Sequence, residues 1–312
     1  MQLHTILGAN GTIATELAPI LLDNKEKVRL VSRNPKPVAG AETIAADMLN
    51  AQQVMDAVKG SSIVYMLVGI QYNSKIWQRD WPVIMCNVLE ACKAANARFL
   101  FFDSVYPYGL VKGKMTEQTP INPCSKKGKI RAAIDKMVLN EIKAGRLTGI
   151  IARAADFYGP RCYDKSALSL LVFDKMQKKQ TAQYMGKADL PHSYTYTPDA
   201  AKAMYLLAKT ESAFNQTWHL PTASPALTGR QLVALAAQYM QVENKVKVIP
   251  SWLIKGLGFF NVMMRELGEM LYQSDYAYEF DSSKFEKAFN YKPTSYEEGI
   301  KATAEWFKQG NS

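Results

Sequence analysis

The chain has 312 residues, with 38 Lys and Arg against 28 Asp and Glu, a formal net charge of +10. At 48% hydrophobic and 21% charged residues it is an ordinary globular chain, with room for one large α/β domain or two small ones. No apolar run approaches the roughly 18 residues of a membrane span, and the basic balance allows an anionic partner without saying which.

Leu3 to Leu7 is a short apolar run, and Gly8, Gly11 and Ala14 follow it. From Thr12 the period becomes helical, with Ile13, Leu17, Ile20 and Leu21 on one side. The stretch reads as strand, glycine turn, helix. Glycines let a backbone approach a diphosphate, the small Ala14 lets the helix pack on the strand, and the free N–H groups of the helix start face the anion. Gly8, Asn10, Gly11, Thr12 and Ile13 are therefore the expected cradle of a dinucleotide.

Lys27 to Val31 forms the second strand, ending in Ser32-Arg33-Asn34-Pro35. An acid at this point favours NAD, and an arginine accommodates the 2′-phosphate of NADP. Ser32 and Arg33 with no acid nearby point to NADP, with NAD the second choice. Thr43 to Ala46 reads as a third strand with Asp47 after it, and Asn50 as the cap of a helix running to Lys59. Ser62 to Val68 is an apolar run suited to a strand buried on both faces. A helix over 75–95 carries Trp77 and Trp81, and its Pro82 should kink or split it. Arg98 to Phe102, a helix over 126–143 and Thr148 to Arg153 complete the alternation.

Such alternation predicts right-handed crossovers and an α/β fold, a doubly wound parallel sheet of Rossmann type, with ligands at the carboxyl ends of the strands. The expected division is a dinucleotide-binding domain over 1–160 and a smaller substrate lobe over 161–312, some of whose segments return to the sheet. Thr228 with Gln231, and Ser295 with Glu298, read as capping boxes. Trp252 to Leu271 reads as a packed amphipathic helix rather than a pocket wall or dimer face.

Cys86, Cys92, Cys124 and Cys162 form no CxxC pair, and His4, His192 and His219 show no metal spacing. The expectation is reduced thiols, no metal and, since Met1-Gln2-Leu3 runs into a strand, a cytoplasmic protein without a leader.

Together these motifs resemble the extended and atypical short-chain dehydrogenases/reductases, the NAD(P)-dependent epimerase/dehydratase group. Gly8-x-x-Gly11-x-x-Ala14 is similar to the cofactor turn of that group. Asp47 resembles its adenine-side acid, and Val68-Gly69 the strand end beside the cofactor riboses. Phe102 to Gly109 is similar to the strand end that carries the catalytic serine, which falls at Ser104. Arg153 to Pro160, with Phe157 and Tyr158, resembles the nicotinamide-side loop. His192 to Ala201 resembles the helix start where substrate residues gather.

The resemblance implies hydride transfer to or from a hydroxyl or carbonyl substrate, a small molecule, and it allows a homodimer. One departure stands out. The group's catalytic tyrosine and the lysine four residues on are replaced by Lys127 and Arg131. Arg131 could hold the nicotinamide ribose and Lys127 could donate the proton. A lysine ordinarily titrates near 10.4, far from neutrality unless desolvated. Alternatively Tyr106, Tyr108, Tyr158 or Tyr194 supplies the missing phenol. A protein that kept the nucleotide and lost the chemistry is the second reading. A hydrolase triad on Ser104 lacks the Gly-x-Ser-x-Gly elbow. RNA binding through the basic run Lys126 to Arg131 has no aromatic motif beside it, and a membrane partner is not expected.

Overall fold

The structure is a computed structural model and describes residues 2–163 and 166–310. The chain begins β1 (Leu3–Leu7), α1 (Thr12–Asp23), β2 (Lys27–Ser32), β3 (Ala41–Ala45), α2 (Ala51–Val58), β4 (Ile63–Met66), α3 (Ser74–Ala94) and β5 (Arg98–Ser104). It continues through β6 (Lys114–Met115), α4 (Lys126–Lys143), β7 (Gly149–Ala154), β8 (Asp156–Tyr158), α5 (Asp174–Gln177), β9 (Ala182–Met185), β10 (Pro191–His192), β11 (Tyr194–Tyr196) and α6 (Thr197–Lys209). The remainder is β12 (Gln216–His219), β13 (Leu227–Thr228), α7 (Gly229–Met240), β14 (Val246–Ile249), α8 (Ser251–Leu257), α9 (Val262–Gly268), α10 (Tyr272–Asp275), β15 (Glu279–Phe280), α11 (Ser283–Phe289) and α12 (Tyr296–Lys308).

Two compact units share these elements. The first comprises residues 1–107, 126–153 and 200–218, and the second 108–125, 154–199 and 219–312. The cut expected at residue 160 is thus not the one the packing follows. The segments 108–125 and 154–160 belong with the second unit, because β6 pairs with β15 and β8 with β11.

The first unit holds a seven-stranded sheet in the order β12-β7-β5-β4-β1-β2-β3. The pairs β1–β2, β2–β3, β1–β4 and β4–β5 are parallel, as the βαβ alternation requires. Every residue of β4 and β7 is buried, which explains the unbroken apolar run of β4 and the run of β7 that only Arg153 interrupts. Val64, Met66, Phe99 and Phe101 of the sheet pack with Trp81, Met85 and Val88 of α3 and Ile134 and Val138 of α4. α3 runs unbroken through Pro82. The proline removes one N–H, and the carbonyl it would have served belongs to exposed Gln78, where water can replace it. The strand order reverses between β1 and β4, so their carboxyl ends form the crevice where such sheets bind ligands.

The second unit is built from two-stranded pairings and helices. Its core joins Tyr158, Phe173, Leu232, Val233, Ile300 and Phe307. Both expected capping boxes are present, Thr228 with Gln231 on α7 and Ser295 with Glu298 on α12. The expected single packed helix over 252–271 is instead two short helices, α8 and α9, joined at Gly258–Asn261. Its aromatic residues face solvent: Phe259 is 85% exposed and Phe260 94%. Among the described residues no helix is long and apolar enough to cross a membrane.

Candidate active site

The carboxyl end of β1 carries the glycine turn. Gly8 has φ +93, and its N–H and that of Ala9 both donate to the Val31 carbonyl, at 2.9 and 3.1 Å. A Cβ on Gly8 would lie 2.7 Å from the carbonyl carbon and oxygen of Leu67, so only glycine fits. Gly11 donates to the Gly8 carbonyl at 3.0 Å and stands as the N-cap of α1 without a side-chain cap. By contrast α2, α3, α7, α9 and α12 are capped by Asn50, Asn73, Thr228, Asn261 and Ser295. The N–H groups of Thr12 and Ile13 lie in the uncapped first turn of α1, where the helix dipole favours an anion.

Asn10, within the expected cradle, uses its side chain on the protein itself. Its side-chain amide donates to the Asn34 carbonyl at 2.7 Å and its oxygen accepts from Lys36 N at 3.2 Å. It staples the glycine turn to the loop after β2. At that strand end the Ser32 hydroxyl oxygen is buried with no hydrogen-bond partner among the described residues. Arg33 beside it is exposed. An orphaned hydroxyl next to an exposed cation suits an anionic group of a bound nucleotide. Asp47 is exposed after β3, with one carboxylate oxygen accepting from Leu49 N at 3.0 Å. Val68 is half-buried, and Gly69 has open space where its Cβ would stand.

Behind the strand ends lies a buried charge network. Asp103 of β5 is 1% exposed. It accepts from Arg131 Nε at 2.6 Å and from Arg153 Nη1 at 2.9 Å. Arg153 Nη1 also donates to the Ser104 carbonyl at 3.1 Å, and its Nη2 to Asp135 at 2.6 Å. The Arg131 guanidinium is further flanked by the rings of Trp81 and Phe101, with centroids 4.7 and 4.8 Å away. Arg131 was expected to reach out to the nicotinamide ribose. Its guanidinium is instead committed inward, because a carboxylate at hydrogen-bonding distance and two ring faces hold it. Burial and the neighbouring Asp103 charge push the Asp135 carboxyl up to about 8, against the lowering pull of Arg153 and Arg131.

Lys127 lies one turn before Arg131 on α4 and is fully buried. Its ammonium stands 4.3 Å from the centroid of the Tyr72 ring. Tyr72 packs edge-on against Trp77, and Trp77 stacks on Tyr106. The Ser104 hydroxyl, half-buried, accepts from Tyr106 N at 3.4 Å. One aromatic cluster thus carries the ammonium at one end and the serine at the other. Within the basic run, burial of Lys127 and Arg131 leaves Lys126 and Lys129 exposed, which is too little to make a nucleic-acid face.

Three of the four substitute phenols are taken. The Tyr108 hydroxyl bonds His219 Nε2 at 2.8 Å. Tyr194 faces Tyr184 at 3.3 Å, and burial raises the Tyr184 phenol and lifts that of Tyr194 well above the ordinary range. Tyr158 is 1% exposed, against Gly299, where a Cβ would collide with its hydroxyl. Burial raises its phenol too, so Tyr158 is a packing residue of the second unit. Phe157 beside it is half-buried. His192 bonds Asp156 at 3.0 Å and stacks on Tyr278, both in the second unit. Only Tyr106 remains half-buried.

Sequence reasoning missed Asp103, Asp135, Arg153 and Tyr72 as members of the site. One signal was present: Lys127, Arg131 and Asp135 recur every fourth residue and so line one face of α4. Among the described residues no group of three or more His, Cys, Asp or Glu side chains could hold a metal.

The sequence compares well with known proteins. It is 24% identical over 262 residues to the dTDP-6-deoxy-L-talose 4-dehydrogenase (NAD(P)(+)) of Kitasatospora kifunensis, covering 79% of this chain and 81% of that protein. It is 22% identical over 214 residues to the dTDP-glucose 4,6-dehydratase of Neisseria gonorrhoeae, 67% of this chain and 59% of that one. The fold matches the UDP-glucose 4-epimerase of Thermotoga maritima solved with UDP-glucose, at a TM-score of 0.82, 19% identity and 99% coverage of each chain. It also matches the Bacillus anthracis dTDP-glucose 4,6-dehydratase solved with NAD, at a TM-score of 0.82 and 13% identity over 99% of this chain and 97% of that one. The sequence profile of the NAD dependent epimerase/dehydratase family matches residues 4–219, from the glycine turn through the last strand of the sheet. The Rossmann sheet, its uncapped glycine turn and this match agree: the chain belongs to the NAD dependent epimerase/dehydratase family.

Proposed function

We propose that the chain is an NADP-dependent oxidoreductase of the epimerase/dehydratase type that acts on a hydroxyl or carbonyl of a sugar nucleotide. The observation that carries the cofactor choice is the end of β2, where an orphaned Ser32 hydroxyl adjoins exposed Arg33 and no acid stands nearby. The substrate class is suggested by the relatives, which are named for dTDP-sugar chemistry, and by the Thermotoga structure with UDP-glucose.

In this reading the N–H groups around Gly8, Gly11, Thr12 and Ile13 hold the diphosphate. Ser32 and Arg33 take the 2′-phosphate, Asp47 lies on the adenine side, and Val68 and Gly69 lie beside the riboses. Bound NADP supplies a hydride acceptor or donor at nicotinamide C4. Ser104 orients the reacting oxygen through its hydroxyl. Lys127 Nζ holds the proton that the family's tyrosine would carry. Its burial against the face of Tyr72 excludes water from around it. Arg131 and Arg153 act through Asp103 and the Ser104 carbonyl, fixing the strand end that presents Ser104.

The test is NADPH oxidation against a panel of 4-keto sugar nucleotides. Steady turnover is expected, falling about 100-fold or more in Lys127→Met with NADPH binding retained. Tight NADPH binding without turnover on any member would favour the second reading, a nucleotide-binding protein without chemistry. The inward commitment of Arg131 is the observation on that side.

A further inference from the structure

The second unit carries an apolar projection for which hydride chemistry has no use. α8 and α9 are joined by the turn Gly258-Phe259-Phe260-Asn261. The turn is ordered by its own bonds. Phe259 N donates to the Gly256 carbonyl at 3.3 Å, and Asn261 N to the Leu257 carbonyl at 2.9 Å. The Asn261 side chain then caps α9 by accepting from Met264 N at 3.1 Å. At the start of α9, Arg265 Cα lies 3.1 Å from where a Gly258 Cβ would be, so the two helices cross tightly at a glycine.

This scaffold presents large apolar side chains to water. Phe259 and Phe260 are almost fully exposed, Trp252 is 73% exposed, and Leu257, Val262 and Met263 are each exposed by about half or slightly less. A cluster of this kind marks a docking surface. Its charge names the partner. From Asn244 to Arg265 the chain has four basic residues, Lys245, Lys247, Lys255 and Arg265, and no acidic one. Lys245 pairs with Glu243 at 2.7 Å. Lys247, Lys255 and Arg265 are exposed on or beside the two helices, as is Lys187 at the rim of the adjoining cavity. Of the nearby acids, Glu266 is buried, and Glu269 and Asp275 are half-buried, Asp275 accepting from the Ser251 hydroxyl of α8.

We propose that the α8–α9 hairpin is an interfacial anchor that docks this protein on an anionic lipid surface. Trp252, Phe259, Phe260 and Met263 enter the headgroup–acyl boundary, and Lys247, Lys255 and Arg265 meet the lipid phosphates. The absence of a spanning helix is silent on such docking, which needs only a shallow apolar tip and flanking cations. A second copy of the chain is the poorer occupant. Each copy would bring the same cations, Lys247, Lys255 and Arg265, to the contact, on a chain of net charge +10. A cavity of about 550 Å³ shares Trp252 and Lys255 with the hairpin, so docking brings its rim to the lipid–water boundary.

Co-sedimentation with phosphatidylcholine vesicles and with mixed phosphatidylcholine/phosphatidylglycerol vesicles tests this. The full chain should pellet with the mixed vesicles and not with phosphatidylcholine alone, and lose the association at high salt. Phe259→Ser/Phe260→Ser and Lys255→Glu/Arg265→Glu should each weaken it by about ten-fold or more. These side chains are exposed, so the thermal midpoint and NADPH affinity should be those of the parent. Failure to pellet with either vesicle, or pelleting that both double variants retain, overturns the proposal. So does a concentration-dependent dimer in sedimentation equilibrium that Phe259→Ser/Phe260→Ser abolishes, because it assigns the face to self-association.

Discussion

Replacing Asp135 by asparagine should remove a pH dependence from the stability of this protein rather than weaken it at all pH values. Asp135 is 2% exposed and accepts from Arg153 Nη2 at 2.6 Å. Burial and the charge of Asp103 push its carboxyl up to about 8, whereas the unfolded chain releases that proton near the ordinary value of 3.8. Between these two values the folded state holds one proton more than the unfolded state. Raising the pH through this window therefore destabilises the fold, and the contribution present below about pH 4 is gone above about pH 8. One proton gives a slope of about 1.4 kcal/mol per pH unit, so between about pH 5.5 and 7.5 the parent should lose roughly 2 to 3 kcal/mol relative to Asp135→Asn. The amide keeps an acceptor for Arg153 and a shape close to that of the protonated acid. Urea unfolding of both proteins at the two pH values measures the difference. Parallel stability curves would refute the reasoning, because they would mean that Asp135 is ionised in the folded state.

Gly8→Ala should cost about 2 kcal/mol or more, since it adds left-handed strain to a collision with the Leu67 carbonyl; a thermal midpoint lowered by about 5 °C checks it. Arg153→Met should destabilise by about 3–5 kcal/mol by leaving the Asp103 carboxylate with Arg131 alone and Asp135 without its hydrogen-bond donor, measured by urea unfolding at neutral pH. His4 is buried, and desolvation holds its imidazole down to about 4. Below the ordinary 6.5 the unfolded chain takes up a proton that the folded one refuses, so stability should fall as pH drops from about 6.5 to about 4, and His4→Gln should flatten that limb.

Much of the first unit could be read from the chain because its signals are local. The turn after Leu7, the buried runs of β4 and β7 and the cap at Asn50 each depend on residues adjacent in sequence, as do the capping boxes at Thr228 and Ser295 in the second unit. The inward turn of Arg131 could not be read so. It depends on Asp103, 28 residues away on another element, and on the rings of Trp81 and Phe101. For the same reason Tyr158 read as an available phenol, although Gly299 packs against its hydroxyl. Apolar periodicity over 252–271 suggested a packed helix, but periodicity reports an apolar face without reporting whether anything covers it. The interleaving of the two units, which places 108–125 with the chain beyond 219, likewise rests on the pairing of Lys114–Met115 with Glu279–Phe280 across a long stretch of sequence.

The proposed selection of the phosphorylated cofactor rests on Ser32 and Arg33 at the end of β2. Calorimetric titration of the parent and of Arg33→Ala with NADPH and then NADH tests it directly. The account predicts tighter binding of NADPH than NADH by the parent, with the preference reduced about ten-fold in Arg33→Ala while NADH affinity stays the same. Equal affinities in the parent would contradict the choice of NADP, and no binding of either nucleotide would contradict the cofactor site itself.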